Sequence, residues 1–224
     1  HYIGRILKTI FDHDPLWVIG FFEKRVERKI LKDDRDYNAI PYGALHEFIN
    51  IDWETPEKVL VLRRVMKWTE ESPASYRLWE APRLLKNLIR EKESPLAVHI
   101  NKPLENLLAD WANSGQIERI RRCAYILRDF AEDPAFYSLV EKMLLKSNGD
   151  NKVKEDLMLA ITSEGYTRGL GQPAQIHLER LSYLKKLRDR ADSPIVREFA
   201  QKMIQSTEHT IKEELQRDEE LLDE

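Results

Sequence analysis

A chain of 224 residues with a formal net charge of −3 is long enough to bury a sizeable core without disulfides, and its bulk charge excludes a strongly basic nucleic-acid binder. With 42% hydrophobic and 33% charged residues it is neither disordered nor membrane-spanning, since its longest apolar stretch, Pro15 to Phe22, falls far short of the roughly 20 residues a bilayer requires. The single cysteine excludes an internal disulfide and a cysteine-based zinc site, so a reducing, cytoplasmic setting is expected, and the opening on His1 rather than Met is expected of a processed product or a piece of a longer chain.

Glycine is scarce, at 8 residues, and the pattern predicts long helices separated by short breaks, with strands hard to find. The first helix is predicted over 2–11 and a second from Asp14-Pro15 onward, where a side-chain oxygen at the N-cap precedes a proline at N1. Residues 32–42 have loop composition, and a short helix follows over 43–50. Another helix spans 56–69 and meets Ser72-Pro73, after which Pro82 divides the next helix. Pro103 opens a helix to Asn113 whose stripe is Leu104, Leu107, Leu108 and Trp111. Over 116–130, Ile117, Ile120, Ala124 and Leu127 form one apolar stripe, with Arg121, Arg122 and Arg128 turned away from it. Asp133-Pro134 starts the following helix, a short one is predicted over 152–163, and 164–173 reads as a loop. The last pair comprises a helix over 174–190, with Leu181, Leu184 and Leu187 in register, and one from Ser193-Pro194 with Ile195, Phe199 and Met203. Ile204, Ile211, Leu215 and Leu222 continue that stripe, as a cap over the last repeat or a seam for a partner helix.

The four capped prolines, Pro15, Pro73, Pro134 and Pro194, lie 58, 61 and 60 residues apart. Arg128-Asp129-Phe130-Ala131-Glu132-Asp133-Pro134 aligns with Arg188 to Pro194, and Lys142-Met143-Leu144 with Lys202-Met203-Ile204. A fixed period with a shared signature predicts a repeat array, here units of about 1–50, 51–113, 114–165 and 166–224 in a single domain. Neither helix of such a pair covers its apolar stripe alone, so the expected fold is all-α, an α-solenoid of helical pairs with additional short helices between them.

The run Asp192-Ser193-Pro194-Ile195-Val196-Arg197-Glu198-Phe199-Ala200 resembles the turn and second-helix opening of HEAT repeats, where Asp, Pro, Val, Arg and Ala occupy those relative places. Phe130 to Val140 is similar, with Phe136-Tyr137 where the Val-Arg pair would stand. The resemblance implies a HEAT or armadillo-like repeat that binds through a face of aligned helices. Ile40-Pro41-Tyr42, Tyr76 to Pro82 and Arg217 to Glu220 together resemble the helical C-terminal part of large bacterial multidomain proteins, some of them signalling NTPases linked to phage defence. That likeness implies a scaffold or sensor region in antiviral defence or signalling.

For catalysis the chain offers no local pattern: no HExxH, CxxC or G-x-S-x-G occurs, and no two of the six histidines stand at metal-ligand spacing. No cofactor, metal or catalytic residue is expected. His13 and His177 read as surface or turn residues, Cys123 as a core thiol, and the five tryptophans as core. Gly165, Gly169 and Gly171 place Tyr166 and Arg168 on a loop suited to a protein contact. The segment Glu208 to Glu224 carries a net charge of −6, which leaves +3 on the rest. Lys58, Arg63, Arg64 and Lys67, then Arg119, Arg121, Arg122 and Arg128, then Arg180, Lys185, Lys186, Arg188 and Arg190 recur on the first helix of the repeats and form a basic ridge if those helices stack. The candidate interaction surface is therefore Arg63, Arg64, Arg121, Arg122, Tyr166, Arg168, Lys185 and Lys186. The expected function is non-catalytic, a scaffold or sensor that engages a protein partner or other domains of its own polypeptide. One alternative is a nucleic-acid-binding repeat using the basic ridge, which stays possible despite the bulk charge. Another is a helical-repeat enzyme of glycosylase or hydrolase type.

Overall fold

The structure, a computed structural model, describes residues 2–34, 36–40, 56–70, 102–131, 133–162 and 172–222. Among these residues the regular elements are helical and no strand occurs, so the chain is all-α. It divides into two compact units, His1–Pro95 with Asn101–Leu107, and Leu96–Ile100 with Leu108–Glu224. The short helix expected over 43–50, the Ser72-Pro73 joint, Pro82 and residues 164–171 of the expected loop lie outside the described residues, while Gln172 and Pro173, assigned to that loop, are helical.

In the first unit, α1 (Tyr2–His13) and α2 (Pro15–Leu31) share a single linking residue, Asp14. Its backbone N–H closes the last turn of α1 on the Ile10 carbonyl at 2.7 Å, and its carboxylate accepts the Trp17 N–H at 3.1 Å as the N-cap of α2. Pro15 at N1 needs no partner for a missing donor, which is why the chain turns there without loss. α1 buries Leu7 and Phe11, and α2 buries Val18, Ile19, Phe22 and Val26. Phe22 is 1% exposed, and burial of such a ring contributes roughly 1.5–3 kcal/mol. α3 (Pro56–Glu70) adds Val61, Val65, Met66 and Trp68, and α2 packs against both α1 and α3. α2 ends with Asp33 in the left-handed region at φ 47°, while the Asp34 N–H bonds back to the Lys29 carbonyl at 3.1 Å, a Schellman closure built without glycine. The segment beyond returns along α2 and buries Ala39 and Ile40.

α4 (Lys102–Asn113) supplies the buried Leu107, Leu108, Trp111 and Ala112. Gly115, at φ 68° and with open space around its Cα, makes the tight turn into α5 (Ile117–Ile126). The helix expected over 116–130 ends its α-helical part at Ile126 and tightens into a 3-10 turn, Leu127–Asp129. That tighter winding delivers Phe130 and Ala131 to the core immediately ahead of the next cap.

α6 (Pro134–Lys146) opens as α2 does: the Asp133 carboxylate accepts the Ala135 N–H at 2.7 Å and proline stands at N1. The Tyr137 hydroxyl donates to the Ala131 carbonyl at 2.9 Å and so ties α6 back across the joint. α7 (Asn151–Thr162) packs on α5, α6 and the final helix, so the short interval helix is a central element of this unit. α5 finds its packing surface on that helix. α8 (Gln172–Arg190) and α9 (Pro194–Leu222) form an antiparallel hairpin, cross-linked by Arg188 to Gln201 at 3.2 Å and Lys185 to Glu208 at 3.0 Å. Leu181, Leu184 and Leu187 face Phe199, Met203, Ile204 and Ile211 in its seam. A stacked contact between Tyr137 and Tyr183, with ring centroids 5.2 Å apart, joins α6 to α8.

Candidate interaction surfaces

The residues of the expected basic ridge are mostly engaged within the protein. Arg64 on α3 holds both carboxylate oxygens of Glu23 on α2, at 2.9 and 2.8 Å, while its neighbour Arg63 is exposed. Arg121 on α5 donates to Asp156 of α7 at 2.7 Å and to Glu118 at 3.2 Å, and the hydrogen bond to Asp156, ahead of the Coulombic attraction of the two carboxylates, holds its guanidinium above the ordinary arginine value. Arg122 is half-buried on the same helix, and Arg128 lies over the Tyr125 ring at 4.8 Å. Lys185 pairs with Glu208, Lys186 sits 5.5 Å from the Tyr183 ring centre, and Arg190 reaches Glu141 at 3.2 Å. Tyr166 and Arg168 lie outside the described residues, as does the Lys58 side chain.

Two expectations about α8 need correction. His177, read as a surface or turn residue, is 6% exposed, and Arg180, assigned to the ridge, is 2% exposed. His177 stands four residues before Leu181 and Arg180 four before Leu184, so the seam that buries those leucines takes the histidine and arginine with them. Counting charges along the helix does not reveal this, because the buried stripe is wider than its leucines.

Cys123 is fully buried, its thiol 3.8 Å from the Leu108 carbonyl oxygen, and desolvation pushes its pKa far up. It remains a neutral thiol, packed as a small apolar group. Among the described residues no three His, Cys, Asp or Glu side chains are placed to hold a metal ion, and no helix is long and apolar enough to cross a membrane.

The tryptophans divide. Trp68 and Trp111 are core residues, at 2% and 8% exposure, and Trp53 and Trp79 lie outside the described residues. Trp17 is 51% exposed, against the expectation that all five are core. Its ring stacks on Phe21 with centroids 5.8 Å apart and planes 7° from parallel. One turn on, the Arg25 guanidinium lies 5.6 Å from the Phe21 ring centre and 4.9 Å from that of Tyr37. Arg25 also donates to the Ala39 carbonyl at 2.7 Å and the Asn38 carbonyl at 3.1 Å, and the Arg28 guanidinium lies 5.7 Å from the Tyr37 ring centre. Trp17, Phe21, Arg25 and Arg28 stand at i, i+4, i+8 and i+11, a single stripe along α2. The adjoining face, with Val18, Phe22 and Val26, is the buried one.

This aromatic and cationic ladder is absent from the sequence-derived surface. Its spacing was visible, but it is embedded in the most apolar run of the chain, and a helix with apolar residues on two faces reads as doubly buried. The stripe can present flat rings and a fixed guanidinium to a partner, and it contains no nucleophile or acid–base pair. Comparison of the chain with protein-family models, with curated proteins and with solved structures finds no match.

Proposed function

We propose that the chain is a non-catalytic protein-interaction module, a scaffold or sensor built of HEAT-like helical pairs in an α-solenoid, and that it engages a protein partner or another part of its own polypeptide. The observation that carries this reading is the Trp17, Phe21, Arg25 and Tyr37 ladder on α2. Tryptophan, tyrosine and arginine are the side chains that concentrate binding energy in protein interfaces. Here they are held before any partner arrives, since Trp17 leans on Phe21 and Arg25 is fixed by two carbonyls and two rings. A preorganised ladder loses little side-chain entropy on binding. The repeat reading draws support from the matching joints at Asp14-Pro15 and Asp133-Pro134, each with a carboxylate N-cap and proline at N1.

A nucleic-acid reading is less favoured by the same surfaces. Arg64, Arg121, Lys185 and Arg190 already hold carboxylates, so phosphate binding would have to break those pairs first.

A photo-crosslinking side chain at position 17, introduced into the protein in its native cell, tests the proposal. One discrete crosslinked polypeptide, or one segment of the same polypeptide, is expected, reduced about tenfold by Arg25→Ala with Tyr37→Ala. An identical pattern from a crosslinker at the exposed Leu145, or none from position 17, overturns the assignment.

A further inference from the structure

In the second unit, α7 and α9 leave a cleft of about 330 Å³ between them. α7 contributes Lys154, Glu155 and Met158, and α9 contributes Glu198, Phe199 and Lys202. Phe199 is 4% exposed and Met158 is half-buried, so the apolar part lies deep, while Glu155, Glu198 and Lys202 are exposed at the rim. The two helices start from a common point. Gly149, at φ 68° in the turn before α7, lies so close to α9 that a Cβ there would stand 2.8 Å from Ile195 Cγ2 and 3.2 Å from Lys154 Nζ. The turn thus positions both the first turn of α9 and the Lys154 ammonium.

Several cations of the unit hold carboxylates, while others, such as Lys142 and Lys146, stand singly on its surface without an ion pair among the described residues. Arg121, Lys185, Arg188 and Arg190 are each tied to a carboxylate. Among the described residues, Lys154, Glu155, Glu198 and Lys202 take part in no ion pair and no side-chain hydrogen bond, although all four border one space. Two cations and two anions that leave one another unpaired around an apolar floor form a receptor with both signs available.

We propose that this cleft receives a short linear peptide segment of a partner protein, with one bulky apolar side chain seated between Met158 and Phe199. A basic residue of the peptide is met by Glu155 and Glu198, and an acidic one by Lys154 and Lys202. A peptide suits the site better than a free small molecule. The volume is at the lower end of that of ligand pockets, and the exposed rim leaves a small ligand largely hydrated, whereas a peptide adds contacts along the helices beyond the cleft. Balanced charges at the rim select against uniformly acidic or basic segments, because either would set like charges against two rim groups.

The proposal rests on the interaction reading above but uses a different surface. Its test is a selection of phage-displayed random dodecapeptides on the whole chain, counter-selected on the Glu155→Lys, Glu198→Lys double variant. Both substituted residues are solvent-facing, so the fold is expected to persist, and circular dichroism checks it. Enriched peptides are expected to share one large apolar residue with a basic and an acidic neighbour. Synthetic versions are expected to lose at least tenfold in affinity with the double variant and with Met158→Asp, to regain binding to the double variant when their basic residue is made acidic, and to be indifferent to Trp17→Ala. No enrichment over the double variant, or affinity unchanged by both sets of substitutions, overturns the proposal. Crosslinking from position 17 that persists after such a failure leaves the interaction reading standing and removes only the cleft.

Discussion

Arg64 grips Glu23 with two parallel hydrogen bonds, from Nε at 2.9 Å and from an Nη at 2.8 Å, and so fastens α3 to α2 on the outer side of the first unit. Glu23 is 13% exposed and Arg64 43%, so the pair is partly screened by solvent. A double-mutant cycle with Arg64→Ala and Glu23→Ala is expected to give a coupling of about 0.5–1 kcal/mol by chemical denaturation. Arg64→Lys is expected to recover only part of it, since an ammonium cannot reproduce the fork.

The joint at Asp133 is expected to be the more sensitive place. Asp133→Ala removes the cap of α6 and costs about 1 kcal/mol, with Asp133→Asn retaining most of the stability. Tyr137→Phe leaves the Ala131 carbonyl without its donor and costs about 1–1.5 kcal/mol. Urea melts of the three variants give these values directly.

Gly115 and Gly149 have the same φ of 68°, and they separate backbone strain from crowding. Alanine at 115 meets open space and is expected to cost about 1 kcal/mol from its left-handed conformation alone. Alanine at 149 adds a contact of 2.8 Å with Ile195, so α9 must shift, and a larger loss is expected. Equal losses at the two positions would show that the α9 contact yields at no cost.

The buried thiol gives a pH-dependent prediction. Its folded pKa is raised by desolvation, so the stability it contributes is complete at low pH and declines as pH rises above about 8.5, where the unfolded thiol ionises. Cys123→Ala is expected to flatten that decline. In the native protein Cys123 is expected to resist a thiol reagent at pH 8.5, and to react at once in denaturant. Rapid native labelling would contradict the burial.

With most of its described ridge cations already engaged within the protein, the chain is expected to leave duplex DNA unbound at about 50 mM salt in a gel-shift titration. Binding that weakens with a log-log salt slope of about −0.9 per phosphate would restore the nucleic-acid reading.

What the sequence shows and what it hides follow from the range of the forces involved. The joints at Asp14 and Asp133 are legible because a carboxylate cap and an N1 proline are chemistry among near neighbours, and the start of α9 at Pro194 is legible from its proline. The helix spans come within a few residues for the same reason. Burial of His177 and Arg180 is not legible, since it depends on how α8 is turned toward α9. Nor is the exposure of Trp17: periodicity marks an apolar stripe but does not say whether another helix covers it. The cleft between α7 and α9 is hidden most completely, because its two sides are some forty residues apart in the chain.

Asp14 is the whole of the connection between α1 and α2, and this makes the angular phase of α2 a matter of chain counting. Each added residue rotates a helix by about 100°. One residue inserted beside Asp14 would therefore carry Trp17 and Phe21 into the buried places of Val18 and Phe22 and send Val26 outward to the exposed place of Glu27. The direction in which the aromatic ladder faces is set by the absence of slack at a single peptide junction.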